Sequence, residues 1–272
     1  MNNEKICLLG VLDEFYTKVV ATKFQESNIP FNLILVSKKS SYSRLPAIFQ
    51  RILGTIQELY SGRYLALSKF SFFTYKLYLS SIIFNRSAQA KELRKKYMNL
   101  DLKEIADYIV PDINHVAVDR ILAKEKYSIG ILAGVGIVHE EIINGFSNCC
   151  LNAHPAPLPE CRGGGAIQFT LYNNYEPSAS VHYATPEIDA GSILKVSSIP
   201  INKQDSLESL ALKLTIHCAE VLAETTLKIK NKESVEKTPN HGSLNYWKDC
   251  SKAVQKKAIK NLEQKKRQLK LQ

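Results

Sequence analysis

The chain predicts an α/β protein with a Rossmann-like, mainly parallel sheet and helices on both faces. Three observations carry that expectation. Ile6-Cys7-Leu8-Leu9-Gly10 and Leu33-Ile34-Leu35-Val36 are continuous apolar runs, as strands buried on both faces are. Between them, Phe15, Val19, Val20 and Phe24 recur at helical spacing, so the unit reads strand–helix–strand, whose crossover is right-handed. The alternation then returns around residues 108–135. A chain of 272 residues can hold one substantial core of this kind plus additions.

Taken in order, residues 5–10 form a first strand ending in glycine, and Phe15–Ser27 a helix that Asn28-Ile29-Pro30 breaks. Residues 31–36 form the second strand. Tyr108-Ile109-Val110, closed by Pro111, is the third, Val116–Lys126 a short helix, and Tyr127–Val135 the fourth strand. In doubly wound sheets ligands bind outside the carboxyl edge of the strands, where Ala133-Gly134 should lie. A helix is expected from Ile137 to Ile143 and a fifth strand over Phe146–Asn152. Helix Ile167–Tyr172, a strand at Ser180–Tyr183, a strand at Ile193–Ile201, and a long helix from Leu207 to about Lys230 capped by Ser206 complete the body. The expected division is a catalytic domain over 1–230 and a short basic C-terminal extension over 231–272.

Charge is unevenly spread. Residues 38–103 hold 13 Lys/Arg against 3 Asp/Glu, and residues 226–272 hold 13 against 4, while the whole chain is only +10. Two basic segments therefore accompany an acidic body, which reads either as attraction to an anionic ligand or as a solvated lysine surface. Residues 40–100 form a helical, basic insert between the second and third strands. It has helical stretches at Ala47–Tyr60 and Leu65–Phe84, and its 44–86 portion mixes Arg44, Arg51 and Arg63 with aromatics. Such a segment suits an ordinary helical cover, an acceptor-binding lid, or peripheral contact with a membrane surface. The six cysteines show no CxxC spacing, so reduced buried thiols and a cytoplasmic location are expected. No N-terminal signal peptide and no run approaching the roughly 20 apolar residues of a spanning helix is seen.

The chemistry concentrates in residues 151–193. Asn152 and His154, two apart in an extended segment, project from one face. A carboxamide and an imidazole there can grip a polarised carbonyl, one donating to its oxygen and the other managing a proton. Ser180-Val181-His182-Tyr183 precedes a turn, Pro186-Glu187-Ile188-Asp189-Ala190-Gly191, that carries a carboxylate beside a glycine. The residues alone say acyl transfer or hydrolysis. No metal-ligand spacing is present.

Asn152-x-His154-Pro155, Leu158-Pro159, Arg162-Gly163, Val181-His182, Asp189-x-Gly191-x-Ile193 and the upstream Ile131-Leu132-Ala133-Gly134 together resemble the N10-formyltetrahydrofolate-dependent formyltransferase family, most closely its sugar N-formyltransferase branch. The resemblance covers about 90 residues, from near Tyr127 to near Leu214. His182 stands one residue earlier than a strict Val-x-His, and Ala156-Pro157 replaces the common Ser-Leu. The resemblance implies catalytic roles for Asn152, His154 and Asp189. It implies contacts to the folate from Leu132, Ala133, Gly134, Val135, Ile137, Ala184, Pro186 and Ile188, and contacts to the acceptor from Gly10, Arg162, Gly163, Gly164 and His182. N10-formyltetrahydrofolate would be the co-substrate, with no metal.

Elimination narrows the acceptor. Relatives acting on glycinamide ribonucleotide carry a Gly-rich phosphate loop after the first strand, whereas Gly10-Val11-Leu12-Asp13-Glu14 has one glycine and two acids. Methionyl-tRNA formyltransferases add a C-terminal barrel of about 100 residues, longer than the extension, so no nucleic-acid partner is expected. The expectation is N-formylation of a small amine, most plausibly a nucleotide-linked amino sugar. A formyltetrahydrofolate hydrolase, a glycinamide ribonucleotide or methionyl-tRNA type formyltransferase, and a non-catalytic basic protein binding membrane or nucleic acid stand as alternatives. Monomer and homodimer both stay open.

Overall fold

A computed structural model describes residues 4–37, 88–240, 246–247 and 250–269. The helical stretches expected at 47–60 and 65–84, and the basic and aromatic residues of 44–86, lie outside the described residues.

The strands are β1 (Ile6–Val11), β2 (Asn32–Val36), β3 (Tyr108–Val110), β4 (Ile129–Ala133), β5 (Cys149–His154), β6 (Arg162–Gly163), β7 (Ser178–Tyr183), β8 (Ile193–Ser198) and β9 (Tyr246–Trp247). The helices are α1 (Phe15–Glu26), α2 (Ala88–Met98), α3 (Leu102–Ile105), α4 (Val116–Glu125), α5 (Glu140–Ile143), α6 (Ala166–Tyr172), α7 (Leu207–Lys230) and α8 (Lys252–Gln268). Seven strands make one sheet in the order β3-β2-β1-β4-β5-β7-β8, and β6 pairs with β9 separately. The first five are mutually parallel, while β7 runs antiparallel to both β5 and β8. This is the expected Rossmann-like α/β class.

The apolar runs are continuous because both faces of the sheet are covered. In β1, Ile6 and Leu8 face a core shared with α1 and α7 through Val19, Phe24, Leu210 and Leu214. Cys7 and Leu9 face the opposite core, shared with α4 and α5 through Val118, Leu122 and Ile142. Period-2 alternation therefore buries every residue of the strand, and each buried aliphatic side chain contributes about 1.5–3 kcal/mol.

The strand order reverses between β1 and β4, the switch point at which such sheets open a crevice. Thr17, at the start of α1, seals the carboxyl ends there. Its hydroxyl accepts from the Val11 N–H at 2.9 Å and donates to the Ala133 carbonyl at 2.9 Å. Gly10 lies directly beneath it: a Cβ at that position would meet the Thr17 methyl at 2.2 Å.

Several boundaries differ from the sequence expectation: the strand expected at Ile193–Ile201 ends at Ser198 and that expected at Tyr127–Val135 is shorter at both ends. The segment 137–139 is not helical, and α5 is a single turn starting at Glu140. The Asn114 amide explains it, donating to the Ile137 carbonyl at 3.0 Å and accepting from the His139 N–H at 2.8 Å, which holds that backbone extended. The fifth strand begins later, at Cys149, and continues through His154. Phe146 instead folds over Gly130, where a Cβ would meet its ring at 2.5 Å.

Helix α7 begins with reciprocal caps: Ser206 Oγ accepts from the Ser209 N–H and Ser209 Oγ accepts from the Ser206 N–H. After it the chain returns over the body. Helix α8 packs on α6 through Ala258 and Leu262, and the Asn261 amide donates to the Leu171 and Tyr172 carbonyls at the end of α6.

Candidate functional site

Strands β5 and β7 set the site. Antiparallel pairing places Asn152 opposite His182 and His154 opposite Ser180. Two residues apart on β5, Asn152 and His154 share one face, as expected. The turn after β7 then brings Asp189 back against both imidazoles. Its carboxylate lies 3.3 Å from His154 Nδ1 and 3.7 Å from His182 Nε2.

Hydrogen-bond partners distinguish the two rings. His154 Nε2 is 3.0 Å from the Cys161 carbonyl, so both of its nitrogens face oxygen acceptors. His182 Nδ1 lies 2.8 Å from the Tyr183 carbonyl, which can only accept, so Nδ1 donates. Nε2 of His182 is then the acceptor for the Asn152 Nδ2 amide at 3.2 Å. Burial pushes His182 below the usual histidine range, with Asp189 opposing that shift. A neutral ring at neutral pH agrees with this bonding.

Asp189 responds to its neighbours in the other direction. Burial works to raise its carboxyl, but His154, His182, the Gly163 N–H and Arg162 outweigh burial and hold it below its ordinary value. With His182 neutral at neutral pH, the Gly163 N–H at 2.9 Å, Arg162 and the His154 contact carry that stabilisation. Asp189 itself sits in the left-handed region, φ 49°, which Asp tolerates better than most residues. Gly191 makes the turn possible, because a Cβ there would stand 1.9 Å from the Tyr183 carbonyl oxygen.

The other expected site residues are placed as follows. Arg162 and Gly163 secure the Asp189 turn, the guanidinium donating to the Ile188 carbonyl at 3.0 Å and the Gly163 N–H to the carboxylate. Gly164 is exposed beside them, Gly10 lies under Thr17, and His182 is buried behind Asn152, 2 % exposed. Leu132 and Val135 belong to one apolar cluster with Ala184 packed against it. Ala133 is buried, Gly134 and Ile137 are half-buried, and Pro186 and Ile188 are exposed on the turn. No cluster able to hold a metal occurs among the described residues.

Two contributors escaped the sequence reading. Ser180 Oγ accepts from the Leu158 N–H and donates to the Ala156 carbonyl, fastening the His154–Cys161 loop to β7. Asn240 donates from its amide to the Asp189 and Gly191 carbonyls. The serine could have been found from its place beside His182, while the asparagine, nearly fifty residues downstream, left no local signal.

A doubly wound sheet carrying an Asn-His-His-Asp cluster at the ends of β5 and β7 defines the class. Comparison gives the family: a family model described as Formyl transferase matches residues 88–226, just over half of the chain, and the chain belongs to that family. The methionyl-tRNA formyltransferase of Mycoplasma genitalium is 33% identical over 120 residues, 43% of this chain and 39% of that protein. The chain spans between about a third and about half the length of the curated relatives it matches. Among solved structures, a 4-N formyltransferase from Francisella tularensis superposes with a TM-score of 0.55 at 13% identity, covering 96% of this chain and 88% of that one. Glycinamide ribonucleotide transformylase 1 from Symbiobacterium toebii gives 0.54 at 14% identity, covering 88% and 96%. These likenesses confirm the fold. Among the described residues no helix is long and apolar enough to cross a membrane.

Proposed function

We propose that the protein transfers a formyl group from N10-formyltetrahydrofolate to the primary amine of an acceptor. The observation that carries this reading is the single carboxylate of Asp189 seated against two imidazoles, one of which orients the Asn152 amide. The acceptor amine attacks the formyl carbon, forming a C–N bond and a tetrahedral oxyanion. The Asn152 amide has given one N–H to His182, and its second N–H serves that oxyanion. With its Nε2 proton turned from the Cys161 carbonyl to the substrate, His154 stabilises it and protonates N10 as the C–N10 bond breaks. Asp189 orients His154 and takes, directly or through water, the proton the amine loses. His182 serves as the support for Asn152.

The donor fits the apolar cluster of Leu132, Val135 and Ala184 beside this group, with Ile188 and Pro186 exposed on the turn to meet a flat heterocycle. Bound there, the folate supplies the activated formyl group.

For the acceptor, the reading that fits best is an amino sugar linked to a nucleotide. Asp13 and Glu14 beside the end of β1 repel a phosphate there, while the basic segments elsewhere offer charge for a diphosphate. A second reading, an aminoacylated tRNA, is favoured by the 33% identity to a methionyl-tRNA formyltransferase and by the seven cations against one acid on α8. Incubating the full chain with N10-formyltetrahydrofolate and either a nucleotide-linked amino sugar or methionyl-tRNA separates the two. Formate release without N-formyl product from any amine would replace transfer by hydrolysis.

A further inference from the structure

The Asp189 turn is gripped from two sides, and only one of them is the catalytic cluster. The carboxylate is held by the Gly163 N–H and the imidazoles, as described. The main chain of the same turn is held by the C-terminal extension. Asn240, 9 % exposed, donates from Nδ2 to the Asp189 carbonyl at 2.8 Å and to the Gly191 carbonyl at 3.0 Å. Both of its amide protons are thereby used. Its Oδ1 is buried with no partner among the described residues, so donation is what the side chain contributes.

Its neighbours act on the same stretch. Thr238 forms an antiparallel bridge with Ile193, accepting from the Ile193 N–H at 2.9 Å and donating its own N–H to Ile193 at 2.8 Å. Lys237 Nζ stands 4.9 Å from the centre of the Tyr183 ring, at the start of the turn. Further on, β9 pairs with β6, the strand whose Gly163 N–H holds the carboxylate. A non-glycine residue at positive φ, two residues before a glycine with no room for a Cβ, keeps that conformation only where its surroundings over-determine it. Among those surroundings, Asn240 and Thr238 partner the main chain at Asp189, Gly191 and Ile193, alongside the Arg162 bond to the Ile188 carbonyl.

We propose that Asn240 is a positioning residue, its two donated hydrogen bonds setting the Asp189 turn so that the carboxylate lies between His154 and His182. The C-terminal extension is thereby part of the active site, acting through Asp189 and touching no substrate. This rests on the reading of Asp189 as the proton acceptor in formyl transfer.

The test uses the full chain as wild type, Asn240→Ala, Asn240→Asp and Thr238→Pro, the last removing the bridge N–H while leaving Asn240 intact. Two measurements are made: steady-state formyl transfer, and hydrogen–deuterium exchange by mass spectrometry without ligand. In Asn240→Ala, kcat falls about ten- to a hundredfold while KM for the folate stays within about twofold, the pattern of a misplaced group. Exchange rises in residues 184–193 and is unchanged in β1 and β4. Asn240→Asp, equal in size but unable to donate when ionised, is as impaired as alanine above neutral pH, and Thr238→Pro moves both readouts the same way. Wild-type kcat in Asn240→Asp would reduce the residue to a space filler and overturn the proposal. So would raised exchange with unchanged kcat, or neither changing, in Asn240→Ala. Absence of formyl transfer in the wild type would overturn the proposed reaction, and unchanged exchange in the variants would independently overturn the clasp.

Discussion

Replacing Asp189 by asparagine separates the chemistry of the carboxylate from its part in the fold. Its Oδ2 serves two partners, the Gly163 N–H at 2.9 Å and His154 Nδ1 at 3.3 Å, while Oδ1 stands 3.7 Å from His182 Nε2. An asparagine that keeps its oxygen at the Oδ2 position retains the Gly163 bond. Its amide nitrogen then faces the His182 nitrogen, whose lone pair already accepts from Asn152, so the new N–H competes with that amide for a single acceptor. What the fold loses is the charge on the Gly163 bond and on the His154 contact, about 2–3 kcal/mol from the difference between charged and neutral bonds. In a domain of this size that lowers Tm by about 4–12 °C. The reaction loses the only carboxylate in the cluster, and the absence of a positioned base costs about 10²–10⁴ in rate, or about 2.7–5.4 kcal/mol at 1.36 per tenfold. The chemical loss therefore meets or exceeds the structural one, and kcat is read at a temperature below the lowered melt. The assay follows tetrahydrofolate release by absorbance at neutral pH, with a thermal melt of the same sample. A kcat within about fivefold of wild type would remove Asp189 as the base, since that is well short of the general-base range.

The remaining predictions follow from the same geometry. His154→Ala leaves a folded protein with transfer reduced at least about a hundredfold, and near-normal turnover would remove its assignment. Asn152→Ala costs about 2.7–4 kcal/mol in kcat if its amide is an oxyanion donor, whereas a loss confined to folate KM would make it a binding residue. Gly191→Ala forces a Cβ to within 1.9 Å of the Tyr183 carbonyl, destabilising by about 1–3 kcal/mol as overpacking does, which a melt would show as lower Tm together with lower activity. For pH, the folded Asp189 carboxyl lies below its unfolded value. Its stabilising contribution is therefore complete above about pH 4, the unfolded value, and is lost as pH falls further through the folded one. Asp189→Asn flattens that acid limb of the stability–pH curve, and an unchanged limb would place its cause elsewhere.

How much of this was legible in the sequence depends on how local each signal is. Buried parallel strands announce themselves as apolar runs, so β1, β2 and β4 could be read directly, and with them the sheet and its carboxyl edge. The pairing of Asn152 and His154 follows from strand geometry alone. The helix expected at 137–143 fails because the Asn114 side chain, more than twenty residues upstream, captures the backbone at Ile137 and His139, a competition no local propensity records. Arg162 and Gly163 are expected to meet the acceptor through the family resemblance, and no local signal shows their bonds within the site. Their bonds to the Ile188 carbonyl and the Asp189 carboxylate come from a turn twenty-six residues later. The sequence names the chemical groups; which of them meet is decided by tertiary contacts.

The two histidines carry that point to the mechanism. By strand position they are alike, one imidazole near the end of each strand, and only the family resemblance separates them. In the structure they share one carboxylate but differ in what the remaining nitrogen meets: the Cys161 carbonyl for His154, the Asn152 amide for His182. A ring enclosed by acceptors is arranged to carry protons, whereas a ring that accepts an amide N–H keeps a lone pair and stays neutral, as its lowered pKa requires. In the proposed reaction proton transfer therefore falls to His154, and His182 fixes the rotation of the Asn152 carboxamide. If the assignment were reversed, Asn152 would lose its acceptor whenever His182 took up a proton, and the oxyanion donor would be released at the step that needs it.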